Sequence, residues 1–116
     1  MTDKIFAVIR ARGPRWNDSQ PLEGQEDWRP HADYMNALVA EGFMLLGGPL
    51  TGTRDVLLIA RAGNEAEVEA RLAADCWTVK NLLVTRQITP WELRLARSAT
   101  LDARRTDNHV GDAPRR

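Results

Sequence analysis

The chain has 116 residues, the size of one ordinary domain, and is 43% hydrophobic, enough for a modest core. Its 16 basic and 16 acidic side chains cancel, which argues against a dominant electrostatic footprint for nucleic acid or an anionic membrane. A single cysteine, Cys76, rules out an intrachain disulfide and a Cys-cluster metal site, and no apolar run approaches the about 20 residues of a spanning helix.

Lys4 to Ala11 is rich in β-branched and aromatic residues and closes at Gly13-Pro14, which predicts a first strand ending in a turn. Arg12 to Gly24 carries Gly, Pro, Asn, Asp and Ser and is expected to be a loop. From Gln25 to Gly42 the period becomes helical, with Trp28, His31, Ala32, Met35, Leu38 and Val39 on one stripe. Glu26 and Asp27 suit the positive end of that helix, and Gly42 suits its left-handed exit. Pro30 is tolerated only in a first turn, so the helix either starts near Trp28 or kinks there.

Phe43 to Leu50 and Arg54 to Ala62 form two strands joined by a tight turn at Thr51-Gly52-Thr53, hence an antiparallel hairpin. The second of them, with Val56 to Ala60 wholly apolar, is expected to be buried on both faces. Asn64 with Glu67 three residues on has capping-box spacing, opening a helix whose inner face is Val68 and Leu72 with Ala73 beside them. Asp75 to Asn81 predicts a short extra turn. Leu82 to Leu95 alternates around Val84, Ile88, Trp91, Leu93 and Leu95 as a last strand, with Pro90 marking a bulge or edge. Ser98 to Arg116 has almost no large apolar residue and is expected to be a mobile tail beyond a domain spanning 1–97.

The order β-α-β-β-α-β predicts an α+β, ferredoxin-like fold: a four-stranded antiparallel sheet with both helices on one face. The other face then needs a cover, and a second copy of the chain, closing a dimeric α+β barrel, is the economical one. The start of the chain has no charged-then-apolar secretory pattern, so a cytoplasmic location is expected.

His31, on the inward stripe, is the natural proton carrier, since an unperturbed imidazole titrates near ~6.5. A buried histidine satisfied by a backbone carbonyl is the plainer reading of the same position. Arg10 and Arg12, at the end of the first strand, suit a substrate carboxylate or phenolate, although solvated strand-end charges are the commoner fate of such residues. Trp28, Trp77 and Trp91 suit an aromatic pocket wall or, as readily, core and dimer contacts. Gly47-Gly48-Pro49 leaves room for a ligand, at Gly48 above all, but lacks the glycine spacing and following helix of a phosphate loop. Cys76 is read as a small buried hydrophobe before a nucleophile, and His109 falls in the tail and takes no role. One ordered histidine and scattered carboxylates supply no metal set, and no cofactor motif is present.

Several stretches together resemble the YciI-like (YCII-related) family of small dimeric α+β barrel proteins. They are Ile5 to Pro14, the helix from Trp28 to Leu38, Gly47-Gly48-Pro49-Leu50, Ala74-Asp75-Cys76-Trp77 and Ile88 to Leu93. The resemblance runs from about Ile5 to about Leu95. It implies a homodimer and a paired site formed by a histidine on the first helix and an aspartate ahead of a short helical turn, which match His31 and Asp75. Where the family pattern usually has Pro after that aspartate, this chain has Cys76, which leaves the aim of the carboxylate less constrained. A few members resemble lyases acting on small ring compounds. Two functions stay open on this basis. One is a cofactor-free enzyme of lyase or isomerase type, in which a His31–Asp75 pair moves protons on a small ring or enolisable substrate. The other is a non-catalytic dimer that binds a small molecule or a partner around a structural His31. A monooxygenase of the antibiotic-biosynthesis type shares the fold but not these motifs.

Overall fold

The structure, a computed structural model, describes residues 3–97; the expected tail over 98–116, with His109, lies outside them. The elements run β1 (Lys4–Arg12), α1 (Trp28–Ala40), β2 (Met44–Pro49), β3 (Asp55–Ala62), α2 (Glu65–Ala73), α3 (Cys76–Val79) and β4 (Leu83–Pro90), with a 3-10 turn at Leu22–Gly24. The four strands form one antiparallel sheet in the order β2-β3-β1-β4. This mixed α+β architecture is compatible with the ferredoxin-like arrangement. None of the helices among the described residues is long and apolar enough to cross a membrane.

Strand alternation decides which side chains meet the helices. Phe6, Val8 and Arg10 on β1 pair across with Ala60, Leu58 and Val56 on β3, and this face is the buried one. Leu38 from α1, Phe43 and Met44 around the start of β2, and Val68 and Leu72 from α2 complete the core against it. The alternate residues Ile5, Ala7 and Ile9, facing Leu57 and Ile59, form the opposite side of the sheet, with Leu46 and Val84 exposed.

Local rules account for the helix ends. Pro30 is the third residue of α1, where its missing N–H has no intrahelical acceptor to lose, so the helix starts at Trp28 and continues without a break to Ala40. Asp27 precedes it with φ 60° and gives no side-chain cap; its carboxylate pairs instead with Lys80, at 2.5 Å. Asn64 caps α2 by accepting from the Glu67 N–H at 2.8 Å, and the Glu67 carboxylate accepts from the Gly63 N–H at 2.9 Å.

Some expectations shift. Val39 is 53% exposed and Ala73 is exposed, so the inner stripes of α1 and α2 are narrower than their apolar residues suggest. The last strand stops at Pro90, and residues 91–97 have no regular structure, with Leu95 91% exposed. The irregularity in β4 lies away from Pro90: Ile9 pairs with Gln87 and Arg10 with Thr85, which leaves Arg86 as the extra residue.

Candidate active site

The loop from Gly13 to Asp27 carries Trp16, which forms part of one wall of the site, and Gln25 holds it in shape. The Gln25 side chain is buried; it accepts from the Asn17 N–H at 2.9 Å and donates to the carbonyls of Asn17 (2.8 Å) and Gln20 (3.1 Å). Gly13 anchors the start of the loop by donating to Leu82 O at 2.8 Å, and a Cβ at this position would lie 2.3 Å from Asn81 O. Only glycine permits that approach.

At the other end of the chain order, Asp75 caps the single turn of α3, accepting from the Trp77 N–H at 3.2 Å. Its carboxylate is fully buried and has two more partners. His31 Nδ1 lies 2.9 Å from each carboxylate oxygen, and Arg10 NH1 donates to Oδ2 at 3.3 Å. The second Arg10 amino group donates to Thr78 Oγ1, whose own hydroxyl donates to Leu72 O at 2.7 Å. Hydrogen bonds from three elements thus aim the carboxylate, with no proline needed at position 76.

Burial by itself would raise the Asp75 carboxyl, but the His31 hydrogen bond and charge, the Trp77 N–H and Arg10 outweigh it and hold it below the ordinary carboxylate value. Burial also lowers the Arg10 guanidinium, with Asp75 opposing. An ionised carboxylate can only accept, so His31 Nδ1 carries the hydrogen. When the ring is neutral its lone pair therefore sits on Nε2, which has no hydrogen-bond partner among the described residues. Trp77 fixes the plane of the ring: the two centroids are 3.7 Å apart with planes 8° from parallel. The indole is fixed in turn by its Nε1–H, which donates to Glu26 O at 2.6 Å.

His31 opens onto a cleft of about 420 Å³ between α1, the β2–β3 edge and the Trp16 loop. That volume lies in the lower part of the about 300–1,000 Å³ range of small-molecule sites. Trp16, Trp28, Met35, Val39, Val56 and Leu58 supply much of its apolar wall, and Arg12, Arg29 and Asn36 its polar groups. Asp75 and Arg10 do not reach the wall; they stand behind the imidazole.

Placed against expectation, the chemistry-bearing residues sort unevenly. His31 and Asp75, 44 positions apart, are in direct contact. Arg10 is the correction: it is 0% exposed and spends its guanidinium on Asp75 and Thr78, away from any substrate. Of the two, Arg12 is the one on the cleft, its guanidinium 4.9 Å over the Trp16 ring. Trp28 and Trp77 line the cleft, whereas Trp91 is 46% exposed and elsewhere; Trp16 takes the place expected of it. Gly48 lines the cleft, but it pairs with Leu57 on the helix-free side, so the missing side chain that opens the cleft is that of Gly47, opposite Leu58. The Cys76 thiol is pushed up by burial and then by the Asp75 and Asp27 carboxylates, so it stays protonated at neutral pH and is a poor nucleophile.

Sequence reasoning missed Thr78, Gln25 and Trp16. Trp16 and Thr78 owe their places to contacts with distant segments, and Gln25 to bonds within its own irregular loop; no periodicity marks any of them. Comparison of the chain with protein-family models, with curated proteins and with solved structures gives no match in any of the three.

Proposed function

We propose that the protein is a small-molecule enzyme that moves protons with the His31–Asp75 pair and needs no cofactor to do so. The carrying observation is the imidazole on the cleft wall, its Nδ1–H held by a buried carboxylate and its Nε2 without a partner among the described residues. In the proposed step the Nε2 lone pair takes a proton from a carbon beside a carbonyl. The electron pair of the broken C–H bond moves into the carbonyl to give an enolate. Return of the proton at another carbon completes an isomerisation; loss of a leaving group from the adjacent carbon completes an elimination. Asp75 keeps the tautomer and steadies the imidazolium that forms, and Trp77 keeps the ring in its plane.

The resemblance to the YciI-like family and its lyase members supports this reading, and membership of that family is part of the proposal. So is a homodimer. Ile5, Ala7, Ile9, Leu57 and Ile59 give the helix-free side of the sheet an apolar character that a second copy would cover.

Deuterium exchange tests the chemistry. The protein is incubated in D2O with a panel of cyclic keto and lactone carboxylates, and C–H to C–D exchange is followed by NMR. Catalysed exchange is expected for at least one compound, with His31→Ala lowering its rate by about 10²–10⁴-fold and Asp75→Asn lowering it as well. Exchange left unchanged in both variants defeats the proposal. The second reading, binding without turnover, is favoured by one observation: His31 is only 8% exposed and its ring is stacked on Trp77, surroundings that equally suit a structural histidine. Saturable binding without exchange supports it.

A further inference from the structure

The charges on the cleft wall are of one sign. Arg12 and Arg29 line it, and among the described residues no aspartate or glutamate does. Arg29 reaches out toward solvent beside Asp33, at 3.7 Å, with most of its side chain exposed. Arg12 is different. It is half-buried, forms no ion pair among the described residues, and its guanidinium rests on the face of Trp16. Stacking leaves the edge N–H groups of a guanidinium free to donate, and that edge matches the paired oxygens of a carboxylate. The surrounding wall is rich in aromatic rings set at different tilts. Trp28 lies 6.1 Å from the His31 ring, which is itself stacked on Trp77, and Trp16 meets Trp77 edge-on at 5.4 Å.

We propose that the cleft takes a compact, planar carboxylate, with Arg12 gripping the carboxylate and the ring system lying among Trp16, Trp28 and His31. This deepens the enzyme reading by naming its substrate class, and it rests on the same cleft. A negative charge held at Arg12 gives selectivity for anions.

The test uses benzoate as probe, with binding followed by NMR on the indole N–H signals of Trp16 and Trp28. Benzamide is the neutral planar comparison, cyclohexanecarboxylate the non-planar anion, and phenyl phosphate the alternative anion. Benzoate is expected to shift both indole signals saturably and to bind about tenfold or more tightly than benzamide. It is also expected to outbind cyclohexanecarboxylate. Arg12→Met should weaken benzoate to the level of benzamide, and Arg12→Lys, which keeps the charge but not the fork, should fall between. Benzamide binding as tightly as benzoate to the wild-type protein overturns the proposal without any variant. So does benzoate binding unchanged in Arg12→Met, and a marked preference for phenyl phosphate over benzoate reassigns the anion and overturns the carboxylate. The deuterium exchange separates this inference from the enzyme reading, because benzoate binding is read without turnover. If benzoate binds in an Arg12-dependent way and no carboxylate undergoes exchange, the binding site stands and the catalysis falls.

Discussion

Asp75 is the residue on which the most contacts converge. It orients His31, balances the buried Arg10 and caps α3, three tasks for one carboxylate with no exposure to solvent. Replacing it with Asn keeps the shape but removes the charge, leaving Arg10 buried without its counter-ion. Breaking a buried pair from one side costs about 3–5 kcal/mol, so urea unfolding of Asp75→Asn should show a loss of that order. The pH dependence has a definite sign. The folded-state carboxyl lies below its unfolded value, so near pH ~4 the unfolded chain binds more protons and stability rises with pH. The Asp75 contribution is fully present above the unfolded value of about 3.9 and is lost as pH falls through the lower, folded value. Acid titration of unfolding should therefore be flatter in Asp75→Asn than in the wild type below pH ~4. Equal acid sensitivity in the two proteins would show that the carboxylate is not held ionised by its neighbours.

Elements bring these side chains together through irregularities more than through their regular parts. In β2 the pairing moves from Met44–Ala60 to Leu46–Ile59, so Leu45 is an extra residue and the alternation of the strand resets after it. That reset is why Gly47, and not Gly48, faces the helices. A Cβ at Gly47 would meet Leu58 Cδ2 at 2.7 Å, while one at Gly48 meets nothing within 4 Å. Gly47→Val should push Leu58 aside, narrow the cleft and destabilise the fold by about 1–3 kcal/mol, as overpacking does. Gly48→Ala should stay within about 0.5 kcal/mol of the wild type. Thermal unfolding and benzoate titration of the pair check the assignment, and equal effects at the two positions would refute it. The four-residue α3 matters for a similar reason: its one turn presents Asp75, Trp77 and Thr78 to β1 and α1 at once.

For the molecule as a whole, the proposed self-association rests on the distribution of apolar surface. Both packing helices lie on the Phe6–Val8 side of the sheet, and the Ile9–Leu57 side has none among the described residues. Sedimentation equilibrium should give the mass of two chains for the wild type and of one chain for Ile9→Asp or Leu57→Asp. Glu69→Lys, an exposed change on α2, should leave the dimer intact. A wild-type protein of single-chain mass at tens of micromolar would exclude the proposed pairing.

How much of this was legible in the chain divides along physical lines. The order of elements, the Asn64 cap, the tight turn at Gly52 and the start of α1 near Pro30 follow from local rules, because each depends on backbone groups within a few residues. The contact of His31 with Asp75 was reachable only through resemblance, since no local signal spans 44 positions. The separate fates of Arg10 and Arg12 were beyond it. They sit two residues apart on the same strand face, and chemistry alone cannot tell them apart. Asp75 and Thr78 arrive beside one and bury it with a carboxylate, while the Trp16 loop leaves the other on the cleft. Which charge is neutralised and which stays available is a matter of what arrives beside it in three dimensions, and only the assembled fold decides that.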